Sequence, residues 1–484
     1  MADEENNSLV PARSATDIER SIDGFHQPLA GYLASLGLPT EDVLHSLAER
    51  RVIVNALEEA LSVLPMEDRA KAFYLTKFTV AVAVGLFDGA LNYLWNETIN
   101  ALRRMVVQFD LEYFYAIVGG VNPKNKDLEG AEDLEQISDH DLLETCRRIG
   151  LLSDVNFQRL EHINYMRNHA SAAHPNEQQI GGFEMLGWLS VCLKHVITAE
   201  PDHSVISIKR LMENIRSVQI PVEDLAVIQA DIVRQPQQRI DDLLWTMFGM
   251  FCDPRQNTQT KSNIGNLALG VWQASSEDQK YEIGTKFGVY RKNGDVARKD
   301  AAQEFLEVVG GQNYKDEDSL AGELLEKLET LRRVHFSMNN FYNEYPHAKD
   351  LKISLPANGV VPRAARPSWV KVICACYVGN GYGHRKGVDE SAEIYYREYI
   401  ERFSEAEVIE FLHLMGDIEF TSVLDRHMPD RRIRELSRIL KGASENVHLQ
   451  RALDMIIDGP ERKLANLINV SKFKQALSFI PKHK

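Results

Sequence analysis

Apolar residues recur at three- and four-residue intervals along nearly the whole chain, while alternating β-branched runs are scarce. That period places one buried stripe on each of a series of helices and predicts an all-α protein. The stripe Val80, Val84, Phe87, Leu91, Leu94, Leu102 and Val106 predicts one long helix from about Ala72 to Phe109. Asp88, Asn92 and Asn96 follow each other at i+4 and form a polar line on it. Gly119-Gly120 and the polar stretch 122–133 predict a long loop. Ser138-Asp139 starts the next helix, with Leu142, Leu143, Cys146 and Ile149 inward and Gly150 as its stop. Ser153 or Asp154 caps a further helix, whose stripe Phe157, Leu160 and Ile163 is continued by Arg167, Ala170 and His174. Phe183, Leu186, Leu189, Leu193 and Val196 mark a fourth helix, and the grouping ends near Ala199.

Beyond residue 200 the pattern stays helical. Leu320, Leu324, Leu328, Leu331 and Met338 form its clearest stripe, and Ser404 with Glu407 forms a capping box, with Phe403 and Val408 as its hydrophobic staple. The expected division is a flexible tail over 1–20, N-terminal helices over 21–71, a bundle over 72–200 and a larger helical region over 201–484. The Pro/Gly/Arg-rich passage 355–367 is the best linker candidate within that last region.

Charge and composition exclude several classes. With 55 Lys+Arg against 70 Asp+Glu, the net charge of −15 excludes a basic protein that coats nucleic acid. It leaves room for an enzyme with a local cationic site. The longest apolar stretch, Phe78 to Phe87, is about half the ~20 residues a membrane span needs, so no membrane is expected. The first residues are acidic and polar without an apolar segment, so no secretory signal is expected. Five Cys without paired spacing point to a reducing, cytoplasmic setting.

The strongest local signal is RNHASAAH, Arg167 to His174. On a helix, seven residues advance by roughly two turns, so Arg167 and His174 share one face about 10 Å apart in rise. An Arg that interrupts an apolar stripe is costly to bury unless something negative meets it. Asp88, Asn92, Asn96 and Glu97 are supporting candidates for a cleft there, though a plain polar face accounts for them more simply. Cys374-x-Cys376 with His384 lacks the spacer of a zinc site, and no metal or other cofactor is expected. Gly379 to Lys386 matches no phosphate-binding fingerprint and is expected to be a loop. Arg431, Arg432 and Arg434 are expected on a solvated face.

Arg167-Asn168, six residues between Arg167 and His174, and the preceding LLETCRRIGLLSDVNFQRLEHINYM resemble the HEPN superfamily of all-α ribonucleases and RNA-binding proteins. The resemblance covers about residues 72–200 and makes that span a HEPN-like helical bundle, followed by a larger helical C-terminal region. It implies an endoribonuclease that needs no metal. His174 would move a proton as a ribose 2′-OH attacks the adjacent phosphorus, Arg167 would hold phosphoryl oxygens, and Asn168 would orient a side chain or the substrate by its amide. It implies an RNA substrate and a homodimer with two motifs facing one cleft. Many HEPN proteins are toxins or antiviral abortive-infection effectors, and residues 201–484 would then answer a protein or ligand trigger. Family toxins silenced by nucleotidylation carry a Tyr two residues after the His; here Pro175 and Asn176 follow, so that control is not expected. The alternative is a non-catalytic all-α interaction or nucleotide-binding protein that uses the Arg167/His174 face as a dimer interface.

Overall fold

Gly85 breaks the first long hydrophobic run. It adopts φ +97°, a conformation that glycine takes without strain and other residues do not. Its N–H returns to the carbonyls of Ala81 and Val82 and closes the helix. A computed structural model describes residues 15–41, 43–170, 180–200, 203–382 and 387–478. Among these no strand forms, and the protein is all-α. Counting helices of eight or more residues, α1 is Ala15–Ser35, α2 Leu47–Ser62, α3 Phe73–Val84 and α4 Phe87–Phe109. The single helix expected from Ala72 to Phe109 is therefore two. The break also rotates the buried face: α3 buries Leu75, Phe78, Ala81 and Val82, and Val80 is 59% exposed.

The helices gather into two compact units. The first takes the described residues up to Met250 together with Gln256–Ala274, and the second takes Phe251–Arg255 and the chain from Ser275 onward. In the first unit α4 is the central helix, with Phe87, Leu91, Leu94, Trp95, Leu102 and Val106 buried. Next in order come α5 (Leu111–Val121), α6 (Asp139–Arg148), α7 (Asp154–Ala170) and α8 (Gly182–Cys192). Helices α3, α6, α7 and α8 all pack on α4. Gly119 and Gly120 lie inside α5, so the expected loop begins only at Asn122. Ser138 caps α6 by accepting the Asp141 N–H at 3.1 Å, and Gly150, at φ +89°, follows its end. Ser153 is the cap of α7, accepting from the Asn156 N–H at 3.3 Å. Phe183, expected inward, is 77% exposed at the start of α8.

This unit continues past Ala199, where the bundle is expected to end. It includes α9 (His203–Ser217), α10 (Val222–Val233), the first part of α11 (Gln237–Cys252) and α12 (Thr258–Ala274). Two ion pairs tie these helices back. Arg216 reaches Asp110 at 2.5 Å, and Arg148 on α6 pairs with the buried Asp242 on α11. Burial pushes the Asp242 carboxyl up, against the opposing pull of Arg148.

In the second unit the order is α13 (Glu277–Lys292), α14 (Val296–Val308), α15 (Glu317–His335), α16 (Asn340–Ser354), α17 (Arg366–Val378), α18 (Glu390–Glu401) and α19 (Glu405–His413). It closes with α20 (His427–Ala443), α21 (Val447–Ile457) and α22 (Ser471–Ser478). Helix α17 is apolar nearly all round, which demands cover on every side. Helices α15, α18, α19 and α20 supply it. Leu320, Leu324, Leu328 and Leu331 are buried as their spacing predicts, while Met338 lies beyond the end of α15 and is exposed. The Ser404/Glu407 capping box starts α19, and Phe403 and Val408 are buried beside it. The passage 355–367 does not join two bodies. It lies inside this unit, with Val361 and Ala365 in its core. Nor is Arg432 on a solvated face: it is buried, with its guanidinium 4.5 Å from the Tyr377 ring centre. No helix among the described residues is long and apolar enough to cross a membrane.

Candidate functional site

Helix α7 exposes one side and buries the other. Phe157, Leu160 and Ile163 are buried at the spacing the stripe predicts, and Asn164 is buried with them. One turn later the stripe meets Arg167, whose side chain is 27% exposed. The negative group that such an Arg requires is Asp139, the first residue of α6. Arg167 donates from Nη2 to the Asp139 carboxylate. The same oxygen, Oδ2, accepts from Trp95 Nε1 of α4 at 2.7 Å. The guanidinium carbon lies 5.7 Å from the Trp95 ring centre, in cation–π range. Three helices thus meet at one guanidinium.

Asn168 completes the group. Its carboxamide oxygen accepts from Arg167 Nη1 at 3.0 Å, and its amide nitrogen donates to Asn164 at 3.4 Å. Arg167 Nε is buried and has no hydrogen-bond partner among the described residues. A second tie joins α6 and α7, His140 Nδ1 to Glu161 at 3.2 Å. His169 is exposed, with its ring centre 4.3 Å from that of Tyr165 and tilted against it by 42°, on a different face from Arg167.

His174 lies outside the described residues, as do Pro175 and Asn176, so the shared face expected for Arg167 and His174 lies there too. The four supporting candidates on α4 fall into two groups. Asp88 accepts the Gly89 N–H at 2.8 Å, and Asn92 donates to the Asp88 carbonyl at 3.1 Å. Both lie on the Trp95 side of α4 by helical spacing, and Asn96 is exposed. Glu97 is about 200° round the helix from Trp95; it is buried and pairs with Arg104 at 3.3 Å. None of the four bonds to Arg167 or Asn168 among the described residues. Asp139 and Trp95, which do touch Arg167, were not candidates from sequence. An acid opening α6 and a Trp seven residues after Asp88 were the available signals.

Among the described residues no cluster of His, Cys, Asp and Glu has the makeup of a metal site. Cys374 and Cys376 are both buried in the second unit, and burial pushes both thiols up. His384 lies outside the described residues. No family model matches the chain, and no curated protein or solved structure matches it.

Proposed function

We propose that the chain is a metal-independent endoribonuclease of HEPN type, working as a cytoplasmic homodimer and serving as a toxin or antiviral abortive-infection effector. The observation that carries the proposal is the placement of Arg167 and Asn168 side by side at the end of α7, with the guanidinium held by Asp139 and Trp95. A cation fixed in this way is prepared to receive phosphoryl oxygens with little reorganisation. His174 takes the proton of a ribose 2′-OH, and the 2′-oxygen forms a bond to the adjacent phosphorus. The bond from phosphorus to the 5′-oxygen breaks, and that oxygen receives a proton from the partner subunit's His174. The product end is a 2′,3′-cyclic phosphate.

The test uses purified full-length protein and total RNA, with and without EDTA. His174→Ala is expected to lower the rate by ~10²–10⁴, as loss of a general acid/base does. Arg167→Ala should lose a comparable amount, and His169→Ala should keep most activity. EDTA should leave the rate unchanged, and the ends should be cyclic phosphates. Cleavage by His174→Ala at the wild-type rate, or its arrest by EDTA, would overturn the mechanism.

A second reading is favoured by Asp139. Because that carboxylate meets the Arg167 charge within the chain, Arg167 has a sufficient structural reason to be there. The protein would then be a non-catalytic helical interaction or nucleotide-binding module. Wild-type protein that leaves RNA intact would decide for it.

A further inference from the structure

The Pro/Gly-rich passage that follows α16 forms one wall of a cavity inside the second unit. The cavity encloses about 400 Å³, within the ~300–1,000 Å³ usual for small-molecule sites. Its wall is built rather than loose. The Gly359 N–H returns to the Pro356 carbonyl at 2.9 Å, and the Ala357 N–H reaches the Asn313 carbonyl at 3.0 Å. The Asn358 side chain accepts from the Val360 N–H at 3.0 Å, and Gly359 takes φ +73°.

The lining has two characters. Leu355, Val361 and Phe403 give it an apolar side, backed by Trp369 and Tyr399 packed 4.9 Å apart. The other side carries a row of charges. Glu398 receives Lys352 Nζ at 2.6 Å on one oxygen and Arg402 Nη2 at 3.0 Å on the other. Among the described residues both cations pair with this one carboxylate, which balances only one of the two positive charges. The remaining carboxylate on the wall, Glu407, does not balance the other, because Glu407 is paired with Arg366 at 3.0 Å and closes the capping box of α19. Both cations stay open to solvent, with side-chain exposures of 44% for Lys352 and 68% for Arg402.

We infer that this cavity binds a small organic anion, a phosphate ester or a carboxylate on an apolar or aromatic body, with its charged group between Lys352 and Arg402. Ammonium and guanidinium both give charge-assisted hydrogen bonds to either head group, and the apolar wall accepts the body. The anion takes up the charge that Glu398 leaves over. The site lies wholly within the second unit and requires nothing of Arg167.

The test is calorimetric titration of the full-length protein with adenosine 5′-monophosphate and with indole-3-acetate. Adenosine and inorganic phosphate serve as controls. Saturable binding of either anion is expected, and the better of the two identifies the head group. Lys352→Ala and Arg402→Ala should each weaken it roughly ten-fold or more, the loss typical of a charge-assisted hydrogen bond. Both positions are on the surface, and unchanged circular dichroism would show that folding survives. Glu398→Gln is the distinguishing variant. It removes the carboxylate that competes for both cations and should tighten binding several-fold, which loss of a purely structural salt bridge would not do. Absence of binding by both anions, equal binding of adenosine, equal binding of inorganic phosphate, or unaltered affinity in both alanine variants would each overturn the assignment.

Discussion

At the scale of single residues, Asp139 decides how much freedom Arg167 has. Its carboxylate accepts from both Arg167 and Trp95 and sits in the first turn of α6, where the helix dipole favours a negative charge. Asp139→Ala leaves the Arg167 and Trp95 donors without their shared acceptor and should lower the stability of the first unit by about 1–3 kcal/mol. Asp139→Asn should cost less, because an amide oxygen still accepts from Trp95. Denaturant midpoints of the two variants check this, and an unmoved midpoint for Asp139→Ala would mean that the tie contributes nothing. Arg167→Lys separates catalysis from stability. An ammonium keeps a charge for Asp139 but lacks the planar fork that holds Asp139 and Asn168 together. Arg167→Lys is therefore not expected to restore the cleavage that Arg167→Ala loses, with the midpoint nearly unchanged. Arg167 and Asn168 were legible in the sequence because their pattern is local. Asp139 stands 28 residues from Arg167, and Trp95 stands 44 from Asp139, so only the packing of three helices brings them to one point.

Among the elements, the same contrast separates helix ends from helix breaks. Ser138, Ser153 and Ser404 are legible as caps because a cap is settled within four residues. The break at Gly85 is hidden inside an apolar run, and its cause lies elsewhere. The Arg50 side chain fills the space beside Gly85 and donates to the His45 carbonyl at 2.6 Å. The His45 N–H in turn reaches the Gly85 carbonyl at 3.0 Å, and its ring stacks on Phe87 at 4.1 Å. Gly85→Ala meets two obstacles, a positive φ and an Arg50 Nε only 2.5 Å from the new Cβ. The expected cost is about 1–3 kcal/mol, the range for a residue held in a disfavoured backbone region. Thermal or denaturant unfolding of the variant measures it, and a wild-type midpoint would show that Arg50 swings aside freely. The passage 355–367 teaches the converse lesson. Pro and Gly are frequent in linkers because they shape turns, and here the same residues shape a packed turn lining a cavity.

For the molecule as a whole, the cysteines report on how the two units hold together internally. All five thiols are buried, and burial pushes Cys192 up to about 12 and raises Cys146, Cys374 and Cys376 as well. A thiol that is covered and protonated does not react, so the native protein should give almost no labelling by a thiol reagent at neutral pH. The division of the chain then makes labelling informative. Cys146 and Cys192 belong to the first unit, and Cys252, Cys374 and Cys376 belong to the second. Each unit closes its own core around one central helix, α4 or α17, so each is expected to open as its own cooperative body. Labelling across a denaturant series should rise in two steps, with a plateau at the two thiols of one unit or the three of the other. Mass spectrometry of the plateau species identifies which unit opens first. Rapid labelling in the native state would contradict the burial of the thiols. A single jump from none to five would mean that the helices fold as one cooperative body despite their two cores.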